Sequence, residues 1–380
     1  MKLTLKKVLS ISLIFSLFFP VFAKSSIKNL FSRKKNTAKQ QKSVIPQEPD
    51  KLYIFKKAYP DIIFTSEYQE DLQDWKITME IPNNGDRPSS NSKLQSSFNL
   101  YSRGAGAAMS PSELENQYNR DRPSSNSKLQ SNNGDRPRIE TLYWSNGSLL
   151  PQDELINKDK YWTLLYHYSY EAPLADPADF TPEQIERLKS LGSNESRKNG
   201  AGTPMFFFDA IYDSTTRVKL EPHITHTTFL GKRINIHERI KAPLKKVELR
   251  IQELAAIDPE VQTFIDGLRS TEAYFWRVIA NTNRKSFHSL GIAVDVLPKS
   301  YQGKDVYWSW AKDRDPENWM LTPLKRRWMP PQSVIQIFEE EGFIWGGKWG
   351  IWDNMHFEYH PELIYFSMEE SKATSADGMR

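Results

Sequence analysis

The chain has 380 residues, of which 38% are hydrophobic and 12% aromatic, so its composition supports a core and excludes disorder along the whole length. Its net charge is +4, but ten cations and no acidic residue lie within the first 42 residues, so the remainder carries −6 and gives no electrostatic reason to expect nucleic acid as a partner. The sequence contains no cysteine, which excludes disulfides and a lipoprotein anchor.

Residues 1–23 have the pattern of an export signal. Lysines at the start precede an apolar stretch at residues 8–22, and Ala23 completes a small-residue cleavage pattern. The apolar stretch is short for a membrane span and contains Pro20. We therefore predict an exported protein of the periplasm or cell envelope. If the signal is not cleaved, it would anchor the protein in the membrane. Residues 24–50, rich in lysine, serine and glutamine, are typical of a flexible tether.

Residues 51–200 are predicted to form a mixed accessory region, to which the sequence assigns no function. Residues 74–81 alternate between apolar and polar, which predicts a half-buried strand. The sequence DRPSSNSKLQS occurs twice, at residues 86–96 and 121–131, and neither copy has an apolar face. Residues 89–137, which hold the second copy and most of the first, are interpreted as an insertion. We predict a disordered, dispensable surface loop. Without it the strand would continue into a second one, which ends at a tight turn at Asn146-Gly147.

The second half of the chain, residues 201–368, is predicted to be one domain followed by a tail at residues 369–380. Apolar residues three and four positions apart predict helices near residues 244–254, 258–268 and 331–342. Residues 291–296 and 355–360 alternate as strands do. Helices on one side of a small, mostly antiparallel sheet give an α+β fold.

The first candidate site lies in the sequence SFHSLGIAVDV, which contains His288 and Asp295. A carboxylate on an otherwise apolar strand is costly unless it is paired or bound to a metal. Gly291 allows the backbone to turn back between the two residues. We therefore expect His288 and Asp295 to face one point.

A second candidate cluster lies in GFIWGGKWGIWDNMHFEYH, near the end of the domain. In the predicted strand His356, Glu358 and His360 share one face. Either histidine would complete a set of two imidazoles and one carboxylate, and such a set with an open fourth position is what catalytic zinc requires.

Together the two clusters contain S-x-H-x-x-G-x-A-x-D, then W-G-G, then D-x-x-H-F-E. This pattern resembles the VanY-type D-alanyl-D-alanine carboxypeptidases and the related phage L-alanyl-D-glutamate endolysins, which are zinc peptidases of the lysostaphin, D-Ala-D-Ala and Hedgehog superfold. The resemblance covers roughly residues 245–366 and implies a Hedgehog/D-Ala-D-Ala peptidase-like fold. It also implies zinc as cofactor, with His288, Asp295 and His356 as ligands.

The resemblance implies further roles position by position. Asp353, where many relatives carry glutamate, would be the catalytic carboxylate. Arg277 would bind a substrate carboxylate or the developing oxyanion. Ser286 would orient the substrate, and Trp345 would line the cleft beside the metal, although tryptophans in such positions more often pack in the core.

The function that the resemblance implies is that of an exported zinc metallopeptidase acting on peptidoglycan. It would hydrolyse a stem-peptide amide bond, either D-Ala-D-Ala as a carboxypeptidase or L-Ala-D-Glu as an endopeptidase. The alternative is a catalytically inactive, zinc-containing protein that binds the cell wall or has a structural role, since fold alone does not establish activity. The presence of Asp353 beside a complete ligand set favours the enzyme.

Overall fold

The computed structural model describes residues 47–82, 137–145, 147–170 and 172–377, which lie in one compact unit, Ile45–Arg380. The predicted export signal, most of the predicted tether and nearly all of the insertion lie outside these residues. Among the described helices, none combines the length and the apolar character needed to cross a lipid bilayer.

Ten helices and ten strands make up most of the described residues. The α-helices are Leu52–Ala58 (α1), Pro182–Leu191 (α2), Asn194–Asn199 (α3), Phe206–Tyr212 (α4), Arg217–Leu220 (α5), Lys241–Ala255 (α6), Pro259–Gly267 (α7), Trp308–Arg314 (α8), Gln332–Glu340 (α9) and Pro361–Asp377 (α10). The strands are Ile63–Gln69 (β1), Asp74–Ile81 (β2), Arg138–Ser145 (β3), Ser148–Leu150 (β4), Ile224–Phe229 (β5), Lys232–His237 (β6), Leu268–Glu272 (β7), Ala293–Pro298 (β8), Phe343–Trp345 (β9) and His356–Tyr359 (β10).

The first sheet is an antiparallel meander with the order β1-β2-β3-β4. The strand predicted at residues 74–81 is confirmed as β2, whose inward side chains alternate with partly exposed ones. β2 and β3 pair as far as Ile81 and Arg138, so the chain leaves and re-enters the sheet at neighbouring positions. The predicted tight turn is confirmed by the pairing of Ser145 with Ser148, with Gly147 at a φ of 82°.

The second sheet, with the order β7-β8-β10-β9, confirms the α+β fold class. All its neighbouring strands are antiparallel. On one face Phe357 of β10 stacks on Phe338 of α9, with ring centroids 3.9 Å apart. On the other face lies His360, whose ring meets those of Phe208 in α4 and Phe287 edge-on. The sheet is therefore covered on both faces.

One hydrophobic core joins the two halves of the chain. It contains Leu52 of α1 and Ile77 of β2 together with Phe207 of α4, Val294 of β8 and Phe357 of β10. Phe55 and Phe207 make a direct edge-to-face contact, with centroids 4.9 Å apart. The two predicted regions, residues 51–200 and 201–368, therefore share a core, and the division between them stays a prediction.

The insertion can be tested by replacement, because its ends meet at paired strand positions. We expect a chain in which a short turn joins Pro82 to Pro137 to fold with thermal stability at least equal to wild type, since each halving of loop length stabilises the fold by only about 0.6 kcal/mol. Circular dichroism and calorimetry measure this. An unfolded product would contradict the prediction that the insertion is dispensable.

Gly291 lies where the chain passes from the His288 turn into β8. Its φ is 70°, which a side chain disfavours, and an added Cβ would lie 2.8 Å from the backbone nitrogen of His237 and 2.9 Å from Ile224 Cδ1. The carbonyl of Gly291 accepts the His237 N–H at 2.9 Å. The turn is thus held directly against β5 and β6.

We expect Gly291→Ala to destabilise the fold more than Gly231→Ala. Both glycines have positive φ, but nothing lies within 4 Å of a Cβ at Gly231, so this control measures the backbone cost alone, about 1–2 kcal/mol. The close backbone at Gly291 should add about 1–3 kcal/mol. Denaturant unfolding compares the two variants, and equal losses would show that the close packing of this turn is unimportant.

Candidate metal centre

Three buried side chains from separate elements converge on one point. His288 lies on a short 3-10 helix, Phe287–Leu290, while Asp295 lies in β8 and His356 in β10. Asp295 and His356 are partners in the antiparallel register, so their side chains lie side by side. One ligand atom from each residue lies within 4.8 Å of the other two. Among the described residues, no other group of three metal-binding side chains meets this condition.

The hydrogen bonds of His288 leave one ring nitrogen for a cation. Its Nδ1 lies 2.6 Å from the carbonyl oxygen of Ala273, and since a carbonyl only accepts, Nδ1 carries the hydrogen. In the neutral ring Nε2 is then an acceptor. It is buried without a hydrogen bond, although Asp295 Oδ2 lies 3.2 Å away. Two bare acceptors at this distance would repel each other, and positive charge between them, as a proton or a metal ion, removes that repulsion, so the residues present fit a metal.

His356 is held between two carboxylates. Its Nδ1 lies 2.8 Å from Asp295 Oδ1 and its Nε2 lies 2.8 Å from Glu358 Oε1. Burial disfavours the charged ring, but the hydrogen bonds to Asp295 and Glu358 outweigh it and raise the pKa of His356 well above its ordinary value. Burial alone would raise the pKa of Asp295, yet His288 and His356 hold it well below its usual range. The carboxylates of Asp295 and Glu358 therefore favour positive charge in this pocket.

Asp353 precedes His356 by three residues and lies in the same turn. Its backbone N–H donates to the Gly346 carbonyl at 3.0 Å, and a Cβ on Gly346 would come within 2.6 Å of the Asp353 carbonyl oxygen. Its Oδ1 is buried and makes no hydrogen bond. Burial raises the pKa of the Asp353 carboxyl to about 7; His356 and Arg277 oppose this shift, and Asp295 reinforces it. Near neutral pH the group can both accept and donate a proton.

Arg277 is an exposed residue close to the turn that carries His288. Its backbone is fixed on both sides, because its N–H donates to Ser289 Oγ at 2.8 Å and its carbonyl accepts the Ser286 N–H at 3.2 Å. Its charge acts on the carboxyl of Asp353 and lowers the pKa of that group. Arg277 is thus an exposed residue whose charge reaches Asp353.

Ser286 and Trp345, both predicted to bind substrate, are buried. Ser286 Oγ accepts the backbone N–H of His288 at 3.3 Å and caps the turn that carries this histidine. Trp345 has no exposed surface, and its Nε1 donates to the Asn354 carbonyl at 2.9 Å. The prediction of substrate contact for Trp345 finds no support here, because its indole is packed in the hydrophobic core. Trp349 is the indole that lies beside the site, with its ring 5.5 Å from that of His356.

The sequence left open whether His356 or His360 completes the set. His360 lies outside the group of three, with Nε2 3.2 Å from Glu358 and Nδ1 2.7 Å from Glu362. Sequence reasoning assigned no role to Glu358 or Glu362. For Glu358 the sequence did contain a signal, because the alternation of β10 places it on the same face as His356.

We expect wild-type protein to retain one divalent ion per chain after dialysis and His288→Ala to retain none. Binding should also raise the unfolding free energy, by about 2.7 kcal/mol at free metal one hundred times Kd. Elemental analysis and thermal unfolding with and without a chelator measure both effects. His226→Ala, which changes an exposed histidine of β5, is the matched control and should behave as wild type. Equal metal content in all three proteins would place the ion elsewhere.

Comparison with known proteins gives one family match. Residues 280–359 match the family model described as D-alanyl-D-alanine carboxypeptidase. The matched segment contains His288, Asp295, Asp353 and His356, and it begins three residues after Arg277. Neither a curated protein nor a solved structure matches the chain. The resemblance to VanY-type carboxypeptidases is therefore confirmed over these residues.

Proposed function

We propose, from the membership of residues 280–359 in this peptidase family, that the chain is an exported zinc enzyme that hydrolyses amide bonds in peptidoglycan stem peptides. The observation that carries the proposal is the buried meeting of His288, Asp295 and His356, in which His288 Nε2 makes no hydrogen bond and faces Asp295 Oδ2 at 3.2 Å. Export is proposed from residues 1–23, because their charge and apolar pattern are those of a signal peptide.

Zinc is the cation we propose for this site. Two imidazoles and one carboxylate are the donors of many catalytic zinc sites, and His288, Asp295 and His356 would hold the ion with three of its usual four ligands. When bound, zinc would polarise the substrate carbonyl and make water more acidic.

Asp353 is the proposed general base and acid. A carboxyl with a pKa raised to about 7 is well matched to proton transfer at neutral pH, and its unpartnered Oδ1 is an acceptor that no protein group uses. It would accept the proton from the attacking water and return it to the leaving amine. No covalent intermediate with the protein is needed.

Arg277 is the proposed binding group for a carboxylate of the peptide. Its guanidinium is accessible and fixed at its backbone, so two parallel hydrogen bonds to a carboxylate would orient the substrate. A D-Ala-D-Ala terminus and a D-glutamate both offer such a group. The scissile bond is therefore to be identified from the products, which are free D-alanine for a carboxypeptidase and a released L-alanine end for an endopeptidase.

We expect Asp353→Asn to lower kcat by at least about 100-fold while leaving the zinc content unchanged, because the amide cannot accept the proton. His288→Ala should lose both zinc and activity. Mass spectrometry of digested muropeptides and elemental analysis test this, with the exposed Asp313→Asn as the control that keeps both. Full activity in Asp353→Asn would remove Asp353 from the mechanism.

The inactive alternative makes a different prediction for the wild-type protein. A wall-binding or structural protein would retain zinc and sediment with purified peptidoglycan, yet release no product from it. The unpartnered carboxylate oxygen of Asp353 favours the enzyme, since a purely structural carboxylate in a buried turn is normally hydrogen-bonded.

A further inference from the structure

A continuous chain of buried polar side chains leads away from the metal centre. Glu358 Oε1 meets His356 Nε2 at 2.8 Å, and Glu358 Oε2 meets His360 Nε2 at 3.2 Å. His360 Nδ1 then meets Glu362 Oε1 at 2.7 Å, and the Tyr59 hydroxyl donates to Glu362 Oε2 at 2.7 Å. We call Glu358, His360, Glu362 and Tyr59 the polar chain. Each of its members is less than a tenth exposed.

The polar chain fixes which nitrogen of His356 is available to a metal. Carboxylates accept and do not donate, so His356 Nε2 must carry the hydrogen that faces Glu358. Nδ1 faces Asp295 Oδ1 and also carries a hydrogen in the metal-free protein, so Nδ1 is the nitrogen that a metal ion would bind in exchange for that hydrogen. A histidine ligand that donates its second N–H to a carboxylate is held in orientation and becomes a stronger base.

The charges of the polar chain match a divalent cation. Between its two carboxylate partners His360 donates from both nitrogens and is therefore a cation. Asp295, Glu358 and Glu362 bring three buried carboxyl groups against the imidazoles of His356 and His360, so acidic groups outnumber their basic partners. A divalent ion at Asp295 would add positive charge where the acidic groups are in excess.

The far end of the polar chain belongs to a part of the sequence outside the family match. Tyr59 directly follows α1, and its ring packs edge-on against Phe207, with centroids 5.5 Å apart. α1 also packs along α10, which carries Glu362. The position of the Tyr59 hydroxyl is therefore set by the N-terminal part of the shared core.

We propose that Glu358, His360, Glu362 and Tyr59 are positioning residues that set the metal affinity of His356, so that the segment carrying α1 is a functional part of the metal centre. The inference rests on the proposed metal site and goes beyond it, because it assigns a role to residues outside the matched segment. None of the four is proposed to touch the substrate. The alternative is that they only stabilise the fold.

Zinc affinity distinguishes these two roles, measured on the full chain by competition with a chromophoric chelator. We expect Glu358→Gln to weaken zinc binding by about 10–100-fold. Tyr59→Phe, which removes one hydroxyl from the end of the polar chain, should weaken it by about threefold to tenfold. Should Glu358→Gln fail to fold, Tyr59→Phe alone decides.

Tyr168→Phe is the matched control. Tyr168 is as buried as Tyr59, and its hydroxyl also donates to a buried carboxylate, that of Glu339, but this carboxylate pairs with Lys348 and not with a histidine of the polar chain. We expect both phenylalanine variants to lower the stability of the metal-free protein, and Tyr168→Phe to keep its zinc Kd within about twofold of wild type.

The results that overturn the inference are distinct from failure of the proposed function. If Tyr59→Phe and Tyr168→Phe have the same zinc Kd, Tyr59 only stabilises the fold, and the N-terminal segment has no role in metal binding. Unchanged zinc affinity in folded Glu358→Gln would end the positioning role of the whole polar chain. A wild-type protein that binds no zinc would overturn the metal site itself, and this inference with it.

Discussion

The pairing of β8 with β10 is the constraint on which the site depends. Because the register sets Asp295 opposite His356, a carboxylate and an imidazole are brought side by side by backbone hydrogen bonds before any ion is present. The same pairing sets Ala293 opposite Glu358, where the small side chain leaves room for the larger one. A slip of one residue would turn β10's polar face into the apolar layer under α9. The apolar contacts of Phe357 therefore protect the geometry of the metal centre.

The second requirement is that the polar face of the sheet be closed off from water. α4 supplies Phe208 against His360, and the same helix supplies Phe207 to the core beneath α1. Ionic hydrogen bonds gain strength in such surroundings, but any group left without a partner becomes costly. Contacts of this kind join residues from the two ends of the chain, including residues outside the matched segment 280–359.

Much of the site was predictable because its parts are local patterns. Alternation placed His356, Glu358 and His360 on one face, and the motif spacing brought His288 and Asp295 into one turn and strand. The strand predicted at residues 291–296 forms two residues later, as Ala293–Pro298, because Gly291 and Ile292 still belong to the turn. Alternation cannot tell what covers a face, so it could not show that Trp345 is buried. Nor could any local pattern relate Glu362 to Tyr59, which lies 303 residues earlier.

The junction between β2 and β3 also bears on how this protein tolerates change. Ile81 and Arg138 are partners in the sheet, and closing a loop between paired positions costs only about 0.6 kcal/mol more for each doubling of its length. We therefore expect the number of sequence repeats between β2 and β3 to vary at little cost to the arrangement of His288, Asp295 and His356. The same junction is a natural attachment point for a fluorescent or affinity label.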